Sequence, residues 1–268
     1  MPQNSAAFPL AGLAIPDLRG RVALVTGAST GIGAAAARAR GAQGMKVAVH
    51  YNQSEGPAVE VARDIEAAGG TALLVRADVR DSDAIRHTVA QVLQAFGRID
   101  VLVNNAGGLV KRVPIAEFSD ELFDDVLHIN ARSMLAFCRE AVPAMRSQGN
   151  GGSIINVTSI AARHGGGPGA FLYAGSKGFV STATRGLAKE LAGDRIRVNA
   201  VSPGVIVTPF HDRYSTPQML ESFKGSIPMG RLGTADECVG AFLYLASEAL
   251  SGYLTGQIIE VNGGQYMP

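Results

Sequence analysis

From Arg21 onward, short valine-rich runs alternate with longer alanine-rich segments, and this alternation restricts the possible folds more than any other feature. The runs "RVALVTG", "KVAVHY", "TALLVRAD", "IDVLVNN", "SIINVTS", "RIRVNAVSPG" and "GQIIEVNGG" are short, almost continuously apolar and bounded by glycine or polar residues. That is the pattern of strands buried on both faces. Between them lie helical segments at 31–44, 55–68, 82–96 and 119 to about 145, and another from about Phe171, where Val180, Ala183, Leu187 and Leu191 recur at helical spacing. Such a succession predicts a largely parallel, doubly wound α/β sheet of seven strands with right-handed crossovers and helices on both faces. No linker-like stretch interrupts 21–268, which reads as one domain, and residues 1–20 read as a loosely held arm. Pro203, Pro209, Pro217 and Pro228 break the rhythm, so 205–233 is expected to form a substrate loop or lid, with a short helix from Pro217 capped by Thr216.

Charge and composition remove several classes of function. Lys and Arg number 24 against 23 Asp and Glu, a formal charge of +1, so no bulk field draws the chain to nucleic acid or an anionic membrane. No apolar run reaches membrane-spanning length, the first eighteen residues hold no lysine or arginine, and a cytoplasmic location is expected. Cys138 and Cys238 sit in apolar helical surroundings and read as reduced core residues. The five histidines lack ligand spacing, so no metal site is expected. Small soluble ligands are the better expectation.

The turn after the first strand holds Gly27, Ser29, Thr30, Gly31, Ile32 and Gly33 and opens a helix. Glycines there let the backbone turn tightly and approach a pyrophosphate, whose charge is favoured by the free N–H groups of a helix start. The spacing G-x-x-x-G-x-G departs from the commoner G-x-G-x-x-G, and alone it is equally the mark of a ligand-free tight turn. Its place after the first strand of a βα series favours a dinucleotide and a Rossmann-type domain. The second strand ends in His50, Tyr51, Asn52, Gln53 and Ser54, with no carboxylate to repel a 2′-phosphate. That favours NADP, with NAD the alternative.

Ser159, Tyr173 and Lys177 form the second constellation. Tyr173 and Lys177 lie one helical turn apart, so an ammonium can approach a phenol and favour its ionised form. Ser159 follows a strand, at the sheet end where open α/β folds bind ligands. Taken alone, the three residues are also compatible with an ordinary solvated helix face.

With these glycines, "NNAG" at 104–107, and the Ser159, Tyr173 and Lys177 set, the chain resembles the short-chain dehydrogenase/reductase family from Arg21 to Gly264. The resemblance implies that Tyr173 is the acid/base, that Lys177 lowers its pKa and holds the nicotinamide ribose, and that Ser159 binds the substrate oxygen. It implies that Asn130 helps hold a water in a proton relay, a position that would otherwise read as an incidental polar residue. It further implies that Asp78 and Val79 flank the adenine, that Asn105, Ala106 and Gly107 line the cofactor, and that Pro203, Gly204, Ile206 and Thr208 contact nicotinamide and phosphate. In such enzymes, "HYNQS" is similar to strand ends that accept NADP through residues such as Tyr51, Asn52 and Ser54. A homotetramer built partly on the small residues Ala174, Gly175, Ser176, Gly178, Ser181, Thr182 and Gly186 is also implied. The fourteen positions from Ser159 to Tyr173 are one more than usual, with Gly165 to Gly167 available to absorb the difference.

Three functions remain open on this reading. The first is NADPH-dependent reduction of a ketone such as a 3-oxoacyl group, the second oxidation of a sugar or polyol, and the third a dinucleotide-binding sensor without turnover. Lys111, Arg112, Arg163 and His164 flank the expected pocket, and His211, Tyr214 and Phe223 fall in the expected lid; each is either a substrate contact or an ordinary rim residue.

Overall fold

A computed structural model describes residues 12–268. The first half builds β1 (Val22–Val25), α1 (Gly31–Ala42), β2 (Lys46–Tyr51), α2 (Glu55–Ala67), β3 (Thr71–Arg76), α3 (Ser82–Phe96) and β4 (Val101–Asn104). The expected long helix follows in two parts, α4 (Asp120–Leu127) and α5 (Ser133–Ser147), joined by a π-helical turn at His128–Arg132. Next come β5 (Gly152–Val157), α6 (Ala161–His164), α7 (Phe171–Leu191), β6 (Ile196–Pro203) and β7 (Ile206–Val207). The chain closes with α8 (Pro209–Tyr214), α9 (Pro217–Gly225), β8 (Gly233–Thr234), α10 (Val239–Ala246), α11 (Glu248–Ser251) and β9 (Ile258–Val261).

Seven strands form one wholly parallel sheet in the order β3-β2-β1-β4-β5-β6-β9. Crossovers join the successive strands of this sheet, so both faces are covered, and the residues alternate accordingly. Ala23 and Val25 of β1 pack with Ala36, Val61 and Phe242 on the side of α1, α2 and α10. Val22 and Leu24 pack with Ile85, Phe137 and Val180 on the side of α3, α5 and α7. After β3 the chain returns to the other edge of β1, which pairs with β2 and β4 at once. This reversal opens a crevice beyond the carboxyl ends of β1 and β4, where ligands of open α/β sheets bind.

The segment before Arg21 needs a correction in its described part. A short 3-10 turn at Pro16–Leu18 buries Ile15 and Leu18. The Asp17 carboxylate accepts hydrogen bonds from the Ser247 hydroxyl at 2.9 and 3.0 Å and from the Ala249 N–H at 3.1 Å. These bonds outweigh the burial that opposes them and hold the Asp17 carboxyl below its usual range. Asp17 thus clasps this turn to residues 247–249, and Gln43 holds Leu13 and Ile15; 1–11 lie outside the described residues. The Thr216 hydroxyl does cap α9, accepting from the Met219 N–H at 3.2 Å. Both cysteines are buried free thiols, pushed up to about 12 by that burial.

Candidate active site

At the switch point, β1 hands over to α1 through residues 26–30. Gly31 takes a φ of 56°, in the left-handed region, and a Cβ on Gly33 would strike the Gly27 carbonyl and the Asn105 amide. Glycine at 33 is therefore required by contact, whereas at 31 it is required by conformation. Thr30, before the helix, makes no side-chain cap, so the first N–H groups of α1 face the crevice without one. Thr26, which the sequence does not single out, is the knot of this corner: its hydroxyl accepts from the N–H groups of Asn105 and Ala106, both at 2.9 Å, and donates to the Val103 carbonyl. The Asn105 side chain donates back to the Thr26 and Gly27 carbonyls, so it braces the loop.

The crevice is a cleft of about 600 Å3. One end is walled by Ser29, Thr30, Tyr51, Asn52, Gln53, Ser54, Asp78, Val79 and Arg80, and the middle by Ile32, Asn105, Ala106 and Gly107. Ser159, Tyr173, Lys177, Pro203, Gly204, Ile206 and Thr208 border the other end. His50 behaves otherwise than the strand-end reading suggests, because its ring is turned under the glycine turn and buried. Its Nδ1 accepts from the Gly27 N–H at 3.1 Å, which fixes the tautomer with the proton on Nε2, and burial drives its pKa down to about 4. Two arginines stand near this end, of which Arg80 lines the cleft. The Arg76 guanidinium, paired in register with Tyr51, donates through Nε to the Asn52 carbonyl, and Arg80 bridges Asp78 and Asp125.

At the other end, β5 delivers Ser159 and α7 delivers Tyr173 and Lys177. The Thr158 hydroxyl donates to the Lys177 carbonyl at 2.8 Å, and Asn104, Asn156 and Thr184 form a buried hydrogen-bonded ladder from β4 through β5 to α7. These ties fix the helix against the strand ends. Lys177 is 4% exposed; its ammonium donates to the Val157 carbonyl at 2.8 Å and lies 5.8 Å from the centre of the Tyr173 ring. Burial lowers the Lys177 pKa to about 8. The Tyr173 phenol is pushed up to about 12 by burial, with a hydrogen bond from Ser159 opposing the shift. In the protein alone desolvation dominates at the phenol, and the Lys177 ammonium is directed at the Val157 carbonyl.

Asn130 stands in the π-helical turn, 2% exposed. Its amide donates to the Gly108 and Val126 carbonyls and accepts from the Gly108 N–H at 3.0 Å. Both amide hydrogens are thereby used, and a water could reach this side chain only through the remaining lone pair of Oδ1. Beside the cleft, α8 places Phe210 5.7 Å from the Tyr173 ring and Tyr214 4.9 Å from Phe210. The glycine-rich stretch between Ser159 and Tyr173 holds α6 and then left-handed turns, with Gly165 at φ 85°, which take up its extra length.

A dinucleotide-sized cleft at the switch point, with a glycine turn at one end and a tyrosine-lysine pair on a strand-buttressed helix at the other, defines a nicotinamide-dependent oxidoreductase. A family model described as enoyl-(acyl carrier protein) reductase matches residues 27–265. The chain belongs to the short-chain dehydrogenase/reductase family. It is 39% identical over 250 residues to a 3-oxoacyl-[acyl-carrier-protein] reductase of Synechocystis sp., covering 93% of this chain and 98% of the relative. A solved short-chain type dehydrogenase/reductase from Mycobacterium marinum superposes with a TM-score of 0.90 at 37% identity, covering 95% of this chain and 98% of that one. An NADH-dependent reductase responsible for alginate metabolism superposes with a TM-score of 0.87 at 37% identity, covering 94% and 100%. The protein is an NAD(P)-dependent oxidoreductase of this family. Among the described residues, no helix is long and apolar enough to cross a membrane, and no cluster of three potential metal ligands occurs.

Proposed function

We propose that the protein reduces the carbonyl group of a small polar substrate, with Tyr173 as the proton donor to the carbonyl oxygen. The observation that carries this reading is the convergence of Ser159, Tyr173 and Lys177 at the end of the cleft away from the adenosine pocket. A bound nicotinamide would supply the hydride. Tyr173, neutral throughout the physiological range, is a donor that needs no prior protonation. Ser159 shares the oxygen and steadies the charge that develops on it. Lys177 sets the ribose, and Asn130 holds 107–108 against α4, keeping the floor under the nicotinamide in place. Gly27, Gly31 and Gly33 with the open start of α1 receive the pyrophosphate, and Asp78 and Val79 border the adenine.

NADPH is the proposed preferred cofactor. Supporting this are the absence of a carboxylate among Tyr51, Asn52, Gln53 and Ser54 and the Arg76 guanidinium drawn to that strand end. Sugar or polyol chemistry is the second reading, favoured by the polar, arginine- and histidine-bearing rim of the cleft and by the likeness to a reductase responsible for alginate metabolism. The assembly we propose is a homotetramer. The part of α7 suited to it is Gly175, Phe179, Thr182 and Gly186, which are exposed on one face, whereas Ala174, Ser176 and Ser181 pack internally.

Fluorescence titration with NADPH and NADH tests the cofactor assignment; equal or tighter NADH binding overturns it. Tyr173→Phe tests the chemistry. The variant is expected to bind the cofactor with unchanged affinity and to lose turnover by roughly 100-fold or more, and undiminished turnover excludes Tyr173 as the proton donor.

A further inference from the structure

The basic residues around the substrate end of the cleft separate by burial and by the partners they hold, and Arg213, which lines the cleft, is exposed. Lys111 is exposed to solvent. Arg163 forms an ion pair with Glu260 at 3.2 Å and stacks on Tyr266, so its charge is neutralised. Arg112 is different. It is half-buried and lines the cleft; its Nε donates to the Tyr214 carbonyl at 2.8 Å and its Nη1 to the Pro168 carbonyl at 2.9 Å. Among the described residues no carboxylate pairs with it and Nη2 donates to nothing. Burial without a counter-ion lowers its pKa. Among the described residues Asp78 is the only acidic one in the cleft walls, and it stands at the end opposite Tyr173. Asp212 neighbours His211 without pairing with Arg112.

The backbone holds this guanidinium in place at a cost. Val110 has a φ of 65°, and the Lys111 N–H reaches back across it to the Leu109 carbonyl at 2.9 Å, a γ-turn with a β-branched residue in the left-handed region. Such strain persists where the surrounding structure enforces it, and it collects at ligand-binding segments. The two carbonyls that hold Arg112 belong to the lid and to the turn between Ser159 and Tyr173. Its neighbours continue to the reacting end: Tyr214 lies against Phe210, and Phe210 against Tyr173. His211 lies close enough to feel the arginine's charge, with its Nδ1 2.8 Å from the Ser215 hydroxyl.

We propose that Arg112 is a substrate-binding residue and that the substrate is a carbonyl compound bearing a carboxylate, which the free Nη2 edge of this guanidinium receives. This rests on the carbonyl-reductase reading above and narrows it. A planar guanidinium that is partly desolvated, clamped by backbone carbonyls and without a protein counter-ion is suited to a carboxylate rather than to a neutral ketone. The anion would supply the missing charge, and its pairing with Arg112 would tie the lid to the substrate.

The test compares acids with their neutral esters: 2-oxobutyrate and acetoacetate, their methyl esters, and the acetoacetyl thioester of N-acetylcysteamine, all with NADPH and with NADH. The acids are expected to exceed their esters at least tenfold in kcat/KM. Arg112→Gln is expected to lower kcat/KM for the acids by about 30-fold or more, mainly through KM, and to bring the acid-to-ester ratio close to one. Arg112→Lys is expected to restore part of that ratio. A lid loosened by the substitution would depress acid and ester together and leave the ratio unchanged, which would overturn the proposal. Ester or thioester preferred over acid by the unsubstituted protein overturns it as well while leaving the carbonyl-reductase reading intact. Turnover of none of these compounds, with cofactor bound, refutes both.

Discussion

Replacing Lys177 by methionine is expected to make the protein more stable at neutral pH while abolishing most of its turnover. The ammonium is almost fully buried, and its pKa falls from 10.5 to about 8. A tenfold change in acidity corresponds to about 1.4 kcal/mol, so keeping the charge in the folded protein costs about 3 kcal/mol at pH 7. Methionine fills the same channel without charge, but leaves the Val157 carbonyl without its donor, a loss of about 1 kcal/mol. The balance is a gain of about 2 kcal/mol. With an unfolding entropy of roughly 2 cal/mol/K per residue, a chain of 268 residues gains about 4 °C in Tm. The pH dependence carries a definite sign. Between about 8 and 10.5 the unfolded chain holds a proton on Lys177 that the folded protein has released, so the stability of the unsubstituted protein rises with pH across that window. The advantage of Lys177→Met should therefore be largest below pH 8 and close to zero near pH 9.5. Thermal unfolding of both proteins at pH 7 and pH 9.5, without cofactor and at one protein concentration, reads both quantities. A variant no more stable at pH 7, or an advantage that persists undiminished at pH 9.5, would refute the assignment of a desolvated ammonium.

Two further outcomes follow from the hydrogen-bond and contact geometry. Asn130→Ala strands the buried N–H and carbonyl of Gly108 and should destabilise the fold by about 1–3 kcal/mol; chemical denaturation measures it, and an unchanged midpoint would show that the amide bonds are dispensable. Gly33→Ala forces a methyl against the Gly27 carbonyl and the Asn105 amide, so titration should show weakened NADPH and NADH binding alike, with a stability loss of about 1–3 kcal/mol. Discrimination between the two cofactors should not change.

The succession of strands and helices in a parallel sheet, and the nearness of Tyr173 to Lys177, were readable because they depend on local patterns: apolar runs, glycines at turns and a one-turn spacing. What the sequence conceals depends on partners distant along the chain. The helix expected over 119–145 is interrupted at His128–Arg132, yet its apolar period gives no sign of this, since the interruption brings Asn130 against Gly108, 22 residues earlier. Arg112 reads as a loop cation because the carbonyls that hold it are 56 and 102 positions away. Thr26 looks like an ordinary strand-end residue until β4 is placed beside β1. A one-turn spacing predicts the nearness of Tyr173 to Lys177 but not the desolvation at both groups, nor the Val157 carbonyl that takes the ammonium.

The clasp between Asp17 and Ser247 joins groups 230 residues apart. During synthesis at about 5–20 residues per second, the carboxylate waits some tens of seconds for its partners. Until then Ile15 and Leu18 have no completed seat, while β1, β2 and β3 with their helices can already pair. Helices synthesised late, around Ser247, therefore fasten the turn at Pro16–Leu18, so a nascent chain halted before Ser247 carries a nucleotide-binding half in which that turn remains open to chaperones and proteases.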